Sequence, residues 1–146
     1  MAFKRSKGKS QIVQTLRGIP LFSACSGSEL SEISSIVREV DFPAGQIICK
    51  EGTTGIGMHI VVEGDVKVQI GGRTRRKLGP GAFFGEIALL DGGPRTASVV
   101  ADTDVKTLSV PQWEFKAMLK AHPNLTVKML EEACRRLRVN DAALTN

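Results

Sequence analysis

The feature that most constrains this chain is its punctuation. Between Pro43 and Ser98, short apolar segments are broken again and again by glycine and proline, at Pro43-Ala44-Gly45, Gly71-Gly72, Gly79-Pro80-Gly81 and Asp91-Gly92-Gly93-Pro94. Segments this short suit strands. Val66, Val68 and Ile70 alternate with Lys67 and Gln69, the pattern of a strand with one wet face. Ile47–Cys49, Met58–Val62, Val99-Val100 and Val105–Val110 are further strand candidates. Gly71-Gly72 supplies the positive φ of a hairpin turn ahead of the basic run Arg73–Lys77. Many short strands divided by turn residues predict a sandwich, roll or barrel.

Helical periodicity flanks this region. Ile12, Val13, Leu16 and Ile19 mark a short helical lead-in over 10–22. Ser26-Gly27-Ser28-Glu29 then reads as a capping box before Leu30, Ile33, Ile36 and Val37. After Pro111, Trp113, Ala117 and Leu119 to Ala121 give a short helix that His122-Pro123 stops. Asn124 is the expected N-cap of a last helix, along which Val127, Leu130, Cys134 and Leu137 recur at 3-4-3 spacing. A stripe that short is expected to pack on its own domain rather than to form a dimer seam. The expected fold is α+β and mainly β: an antiparallel, jelly-roll-like β-roll over about 40–110, with N-terminal helices before it and two C-terminal helices over about 112–140.

The chain's 146 residues suffice for one domain with a core. No run of 18 apolar residues occurs, and the basic start lacks a signal-type apolar stretch, so a cytoplasmic location is expected. The net charge of +5 invites a nucleic-acid reading. However, four of the 20 basic residues (Lys4, Arg5, Lys7 and Lys9) lie in an acid-free segment, 1–9, leaving 16 basic against 15 acidic elsewhere. That segment reads as a flexible tail, residues 10–146 as the domain, and nucleic-acid binding by this chain alone is not expected. Cys25, Cys49 and Cys134 are widely spaced and read as structural thiols. His59 reads as a partly buried strand residue and His122 as a helix-end residue, and no metal or catalytic dyad is expected at either.

The stretch with chemistry in it is Gly85–Ser98. Gly85 lets the backbone approach a ligand, and Glu86–Leu90 can form one helical turn whose free N–H groups favour an anion. The Asp91–Pro94 loop returns Arg95, a planar cationic fork suited to phosphate, toward that turn. Glu86 could accept hydrogen bonds from sugar hydroxyls. Spacing alone equally allows a surface ion pair between the two.

Phe84-Gly85-Glu86-Ile87-Ala88-Leu89-Leu90 followed by Pro94-Arg95-Thr96-Ala97-Ser98-Val99 resembles the phosphate-binding cassette of cyclic nucleotide-binding domains. Those domains occur in catabolite-activator-type regulators, nucleotide-dependent kinases and gated channels. The resemblance runs over about 18–138 and takes in Pro20-Leu21-Phe22, Glu51-Gly52, Val62-Glu63-Gly64 and Leu78-Gly79-Pro80-Gly81. It implies non-catalytic binding of cAMP or cGMP with no other cofactor. Glu86 would hold the ribose 2′-hydroxyl and Arg95 the cyclic phosphate. Gly85, Ala88 and Thr96 would add amide donors, with Ile87 and Ala97 beside them. Thr96 and Arg76 stand where guanine contacts occur in relatives. We nevertheless expect cAMP, the commoner ligand of such domains. Arg135 and Leu137 are candidate base contacts, and rearrangement of the last helix is the expected signal.

Two other classes compete with this reading. A cupin-type enzyme would need clustered histidines, which the chain lacks. A protein- or anion-interaction module of the same fold without ligand would rest on the basic tail and the hairpin. The expected partners are the nucleotide and an output protein or fused effector, in a chain that is monomeric or weakly dimeric. Met1 and the tail favour a small complete protein over an excised regulatory region.

Overall fold

A computed structural model describes residues 8–54 and 57–145. The chain divides into two compact units, Ile36–Phe115 and the paired segments Met1–Ser35 and Lys116–Asn146.

The first unit is a β-roll of two four-stranded antiparallel sheets. Strands β1 (Arg38–Phe42), β8 (Val105–Pro111), β3 (Gly57–Glu63) and β6 (Phe83–Phe84) form one sheet in that order. The other runs β2 (Ile47–Cys49), β7 (Ser98–Ala101), β4 (Val66–Ile70) and β5 (Arg73–Leu78). A helix, α3 (Glu86–Asp91), interrupts the strands after β6. Alternation sends Cys49, Val61, Val66, Val99, Ala101 and Val105 into a shared core, with Phe42, Ile48, Val68, Leu78 and Phe84 packed against it. The turns obey the glycine punctuation. Gly71 and Gly72 take φ of 60° and 78° in the β4–β5 hairpin. At Gly64, φ is 84° and a Cβ would strike the Asp104 carbonyl.

Two strands escape the sequence reading. β1 carries charge at three of its five positions, with Arg38 and Asp41 exposed and Glu39, Val40 and Phe42 half-buried, so no clean alternation marks it. β6 has only two residues, too few for any periodicity to register.

In the second unit, α1 (Lys9–Arg17) is followed by a 3₁₀ turn at Pro20–Phe22 and by α2 (Gly27–Ser34). α1 starts at Lys9, inside the segment expected to be a flexible tail; residues 1–7 of that tail lie outside the described residues. The capping box forms as expected. The Ser26 hydroxyl accepts from the Glu29 N–H at 3.2 Å, and the Glu29 carboxylate accepts from the Ser26 N–H at 2.8 Å. Leu16, Leu21, Phe22, Leu30 and Ile33 are buried.

α4 (Gln112–Ala121) carries the chain from one unit into the other, and α5 (Pro123–Thr145) closes it. Asn124 is not the N-cap of α5. Pro123 is already helical, since a fixed φ and a missing N–H suit the first turn. The expected packing stripe is also displaced. Val127, Leu130, Cys134 and Leu137 are exposed, and the buried face is Leu125, Met129 and Glu132, on the side of α5 that meets the 3₁₀ turn.

Candidate functional site

The site is organised around Arg95. β6 is followed by Gly85, whose φ of 85° turns the chain directly into the first turn of α3. Gly92, at φ 70°, ends that helix, and its N–H donates to the Ala88 carbonyl at 2.9 Å. Asp91 Oδ1 then accepts the Gly93 N–H at 2.7 Å, tightening the loop. The returning chain is clamped against the segment after β2. The Arg95 N–H donates to the Thr53 carbonyl and the Gly52 N–H donates to the Arg95 carbonyl, each at 2.8 Å, and Thr54 bridges Pro94.

With its backbone fixed, the Arg95 side chain runs inward and is 8% exposed. Its Nη2 donates to the Gly57 carbonyl at the start of β3. Nε and Nη1 are buried and have no acceptor among the described residues. Orphaned donors on a buried cation are costly, so such a group marks a place where an anion belongs. Gly85 makes room for it: a Cβ there would overlap the guanidinium and stand 2.9 Å from the Gly57 oxygen.

The guanidinium opens on a cavity of about 860 Å³ lined entirely by residues between Cys49 and Val99. Its polar end holds Gly85, Glu86, Ala88, Arg95, Thr96 and Ala97; its apolar part holds Cys49, Val68, Leu78, Phe84 and Val99. Arg76 lines it from β5, opposite Val68 in the strand register. Oxygen Oε2 of Glu86 is shielded from solvent. A buried fork at one end and a carboxylate nearby, with an apolar slot beside them, suit a molecule carrying an anion, hydroxyls and a flat apolar face. Among the described residues, no three His, Cys, Asp or Glu side chains group to hold a metal.

Most of the residues read from the sequence therefore share one pocket: Gly85, Glu86, Ala88, Arg95, Thr96, Ala97 and Arg76. Ile87 sits in the first turn of α3; its side chain lies outside the description. Arg135 and Leu137 stand on α5 in the other unit. There, Arg135 donates to both oxygens of Glu132, from Nε at 3.0 Å and Nη2 at 2.5 Å, and Leu137 is exposed.

Sequence reasoning missed the supports. Gln112, the first residue of α4, donates from Nε2 to the Ala88 carbonyl at 2.8 Å, tying α4 to the α3 turn. Gly52 and Thr53 clamp Arg95, and Gly57 supplies its acceptor. His59 is not partly but almost fully buried, at 4% exposure. Its ring stacks on Phe84 with centroids 5.3 Å apart and meets Phe42 at 5.8 Å, while Nδ1 lies 3.1 Å from Thr107 Oγ1. Burial, and then the charge of Arg95, depress its pKa to about 4. The apolar neighbours of His59 along Met58–Val62 signalled its burial, though not its company.

Comparison with known proteins agrees with this geometry. The family model for the cyclic nucleotide-binding domain matches residues 39–122. A cyclic nucleotide-gated potassium channel of Mesorhizobium japonicum is 40% identical over 112 residues, 77% of this chain and 31% of the channel. The cyclic AMP receptor protein of Thermus thermophilus is 33% identical over 134 residues, 88% of this chain and 62% of that protein. The chain thus spans a third to under two thirds of these relatives' lengths. In structure, it is similar to the N-terminal domain of a transcriptional regulator from Streptomyces coelicolor A3(2). That match has a TM-score of 0.78 at 33% identity and covers 88% of this chain and 93% of that one. A two-sheet antiparallel roll, an Arg-centred turn on a glycine hinge and a sequence match over its middle 84 residues together make this chain a member of the cyclic nucleotide-binding domain family.

Proposed function

We propose that the pocket binds a 3′,5′-cyclic purine nucleotide without turning it over, and that the chain works as a cytoplasmic sensor. Arg95 holds the cyclic phosphate and Glu86 the ribose 2′-hydroxyl. Gly85, Ile87, Ala88, Thr96 and Ala97 close around the phosphate, and the purine lies on Val68, Leu78 and Val99 with Arg76 at its edge. The observation that carries this reading is the buried guanidinium of Arg95, a residue of the cavity lining, whose Nε and Nη1 lack an acceptor among the described residues. A cyclic phosphate is a monoanion with two free oxygens, which suits a planar fork. Relatives named for cyclic AMP support adenine over guanine as the preferred base. The signal is a rearrangement of α5, whose exposed Val127, Leu130 and Leu137 offer an apolar row for a liganded state to cover.

Calorimetry with cAMP and cGMP on the chain and on Arg95→Met tests this. We expect tighter binding of cAMP and a loss of about 3 kcal/mol, roughly a hundredfold, in the variant. No heat with either nucleotide overturns the reading. Tighter cGMP binding that Thr96→Ala abolishes reverses the base preference. Unchanged hydrogen exchange along α5 on saturation removes the proposed signal.

A further inference from the structure

His59 does not belong to the pocket lining, yet it adjoins the pocket's charged end. It stands two residues along β3 from Gly57, whose carbonyl holds Arg95, and it is the register partner of Phe84, the residue before Gly85. Gly57, Arg95, Gly85, Phe84 and His59 therefore close a ring of contacts around the base of the guanidinium.

Two immediate neighbours of the imidazole can accommodate a second proton. Among the described residues, Nδ1 has the Thr107 hydroxyl as its partner, and that hydroxyl can donate to Nδ1 of the neutral ring or accept from Nδ1–H of the charged one. Phe84 stacks on the ring, and an aromatic face favours a cation, while Phe42 meets the ring at a steep angle. What opposes the proton is burial together with the positive charge of Arg95. The other titratable or charged groups of the pocket lining are Glu86 and Asp91 of α3, Cys49 of β2 and Arg76 of β5. On β8, Lys106 alternates away from Thr107 and pairs with Asp41 of β1 at 3.9 Å. Arg38, also on β1, is exposed and pairs with Glu114 at 3.3 Å.

We propose that filling the pocket and protonating His59 are thermodynamically coupled: an anion seated against Arg95 eases a proton from solvent onto Nδ1 of His59, and that proton tightens the hold on the anion. The coupling rests on the nucleotide reading only for the identity of the anion. Its origin is the net charge beside the ring, which an anion lowers by one. Because linkage is reciprocal, the factor by which ligand favours the protonated ring is the factor by which the protonated ring favours ligand.

Ring-proton NMR titration of the whole chain tests it, with His122→Gln assigning the two histidines. His59 should titrate well below an ordinary histidine in the free protein, and higher in both Arg95→Met and the native chain saturated with cAMP. An upward move of half a pH unit corresponds to about threefold tighter nucleotide binding at acidic pH than at pH 7, a difference that His59→Phe should erase. A His59 that titrates normally in the free protein overturns the proposal, as does one unmoved by both the variant and the nucleotide. If calorimetry detects no cAMP binding, the nucleotide reading fails while the Arg95→Met comparison still decides the coupling.

Discussion

A single buried imidazole makes the roll acid-sensitive in a way that can be calculated. His59 has a folded pKa of about 4, below its ordinary value, so between roughly pH 6.5 and 4 the unfolded chain takes up a proton that the folded chain refuses. Stability is complete above that window and falls as pH drops through it, by up to about 1.4 kcal/mol per unit. Urea titrations across this range should show the loss in the native chain and a flatter profile in His59→Phe. An equal slope in both would assign the sensitivity elsewhere. The Cys25 thiol, pushed up to about 11 by burial and then by Glu29, contributes nothing in that window.

At the scale of elements, α2 and α5 share one carboxylate. Glu29 Oε1 accepts the Ser26 N–H of the capping box at 2.8 Å and the Lys128 ammonium of α5, also at 2.8 Å. The Lys128 bond chiefly, and the Ser26 bonds after it, hold the Glu29 pKa below the usual carboxylate range. A depressed carboxylate stabilises above its ordinary pKa and loses that contribution as pH falls through the folded value. Ser26→Ala should cost about 1 kcal/mol in urea unfolding, the usual worth of an N-cap. In Lys128→Met, the Glu29 carboxyl followed by NMR should titrate closer to an ordinary glutamate. A Glu29 that titrates identically in that variant would deny the link between the two helices.

The same elements show what the sequence made legible. The capping box is a local pattern of two side chains and two amides, so it could be read directly. The cassette was legible because Gly85, Gly92 and Arg95 meet backbone requirements that few residues satisfy. The clamp of Gly52 and Thr53 on Arg95 and the bond from Gln112 to Ala88 join residues more than twenty positions apart, and no local pattern announces them. The face of α5 was misread because Leu125, Met129 and Glu132 form a second stripe, which includes a buried glutamate that also pairs with Arg135. Periodicity counts apolar residues and passes over a glutamate of that kind.

For the whole molecule, ligand linkage is the decisive readout. A nucleotide that occupies only the folded pocket at a hundred times its dissociation constant stabilises the fold by about 2.7 kcal/mol. The melting temperature should therefore climb steadily with cAMP concentration in the native chain and stay flat in Arg95→Met. A rise of equal size in that variant would place the binding outside the pocket.

The clamping of the Arg95 main chain between Gly52 and Thr53 has a kinetic consequence. The segment that meets the phosphate is already ordered when the nucleotide arrives, so little searching separates first encounter from full engagement. Related nucleotides should then enter the pocket at similar speeds, and the protein should tell one from another mainly by how long each stays.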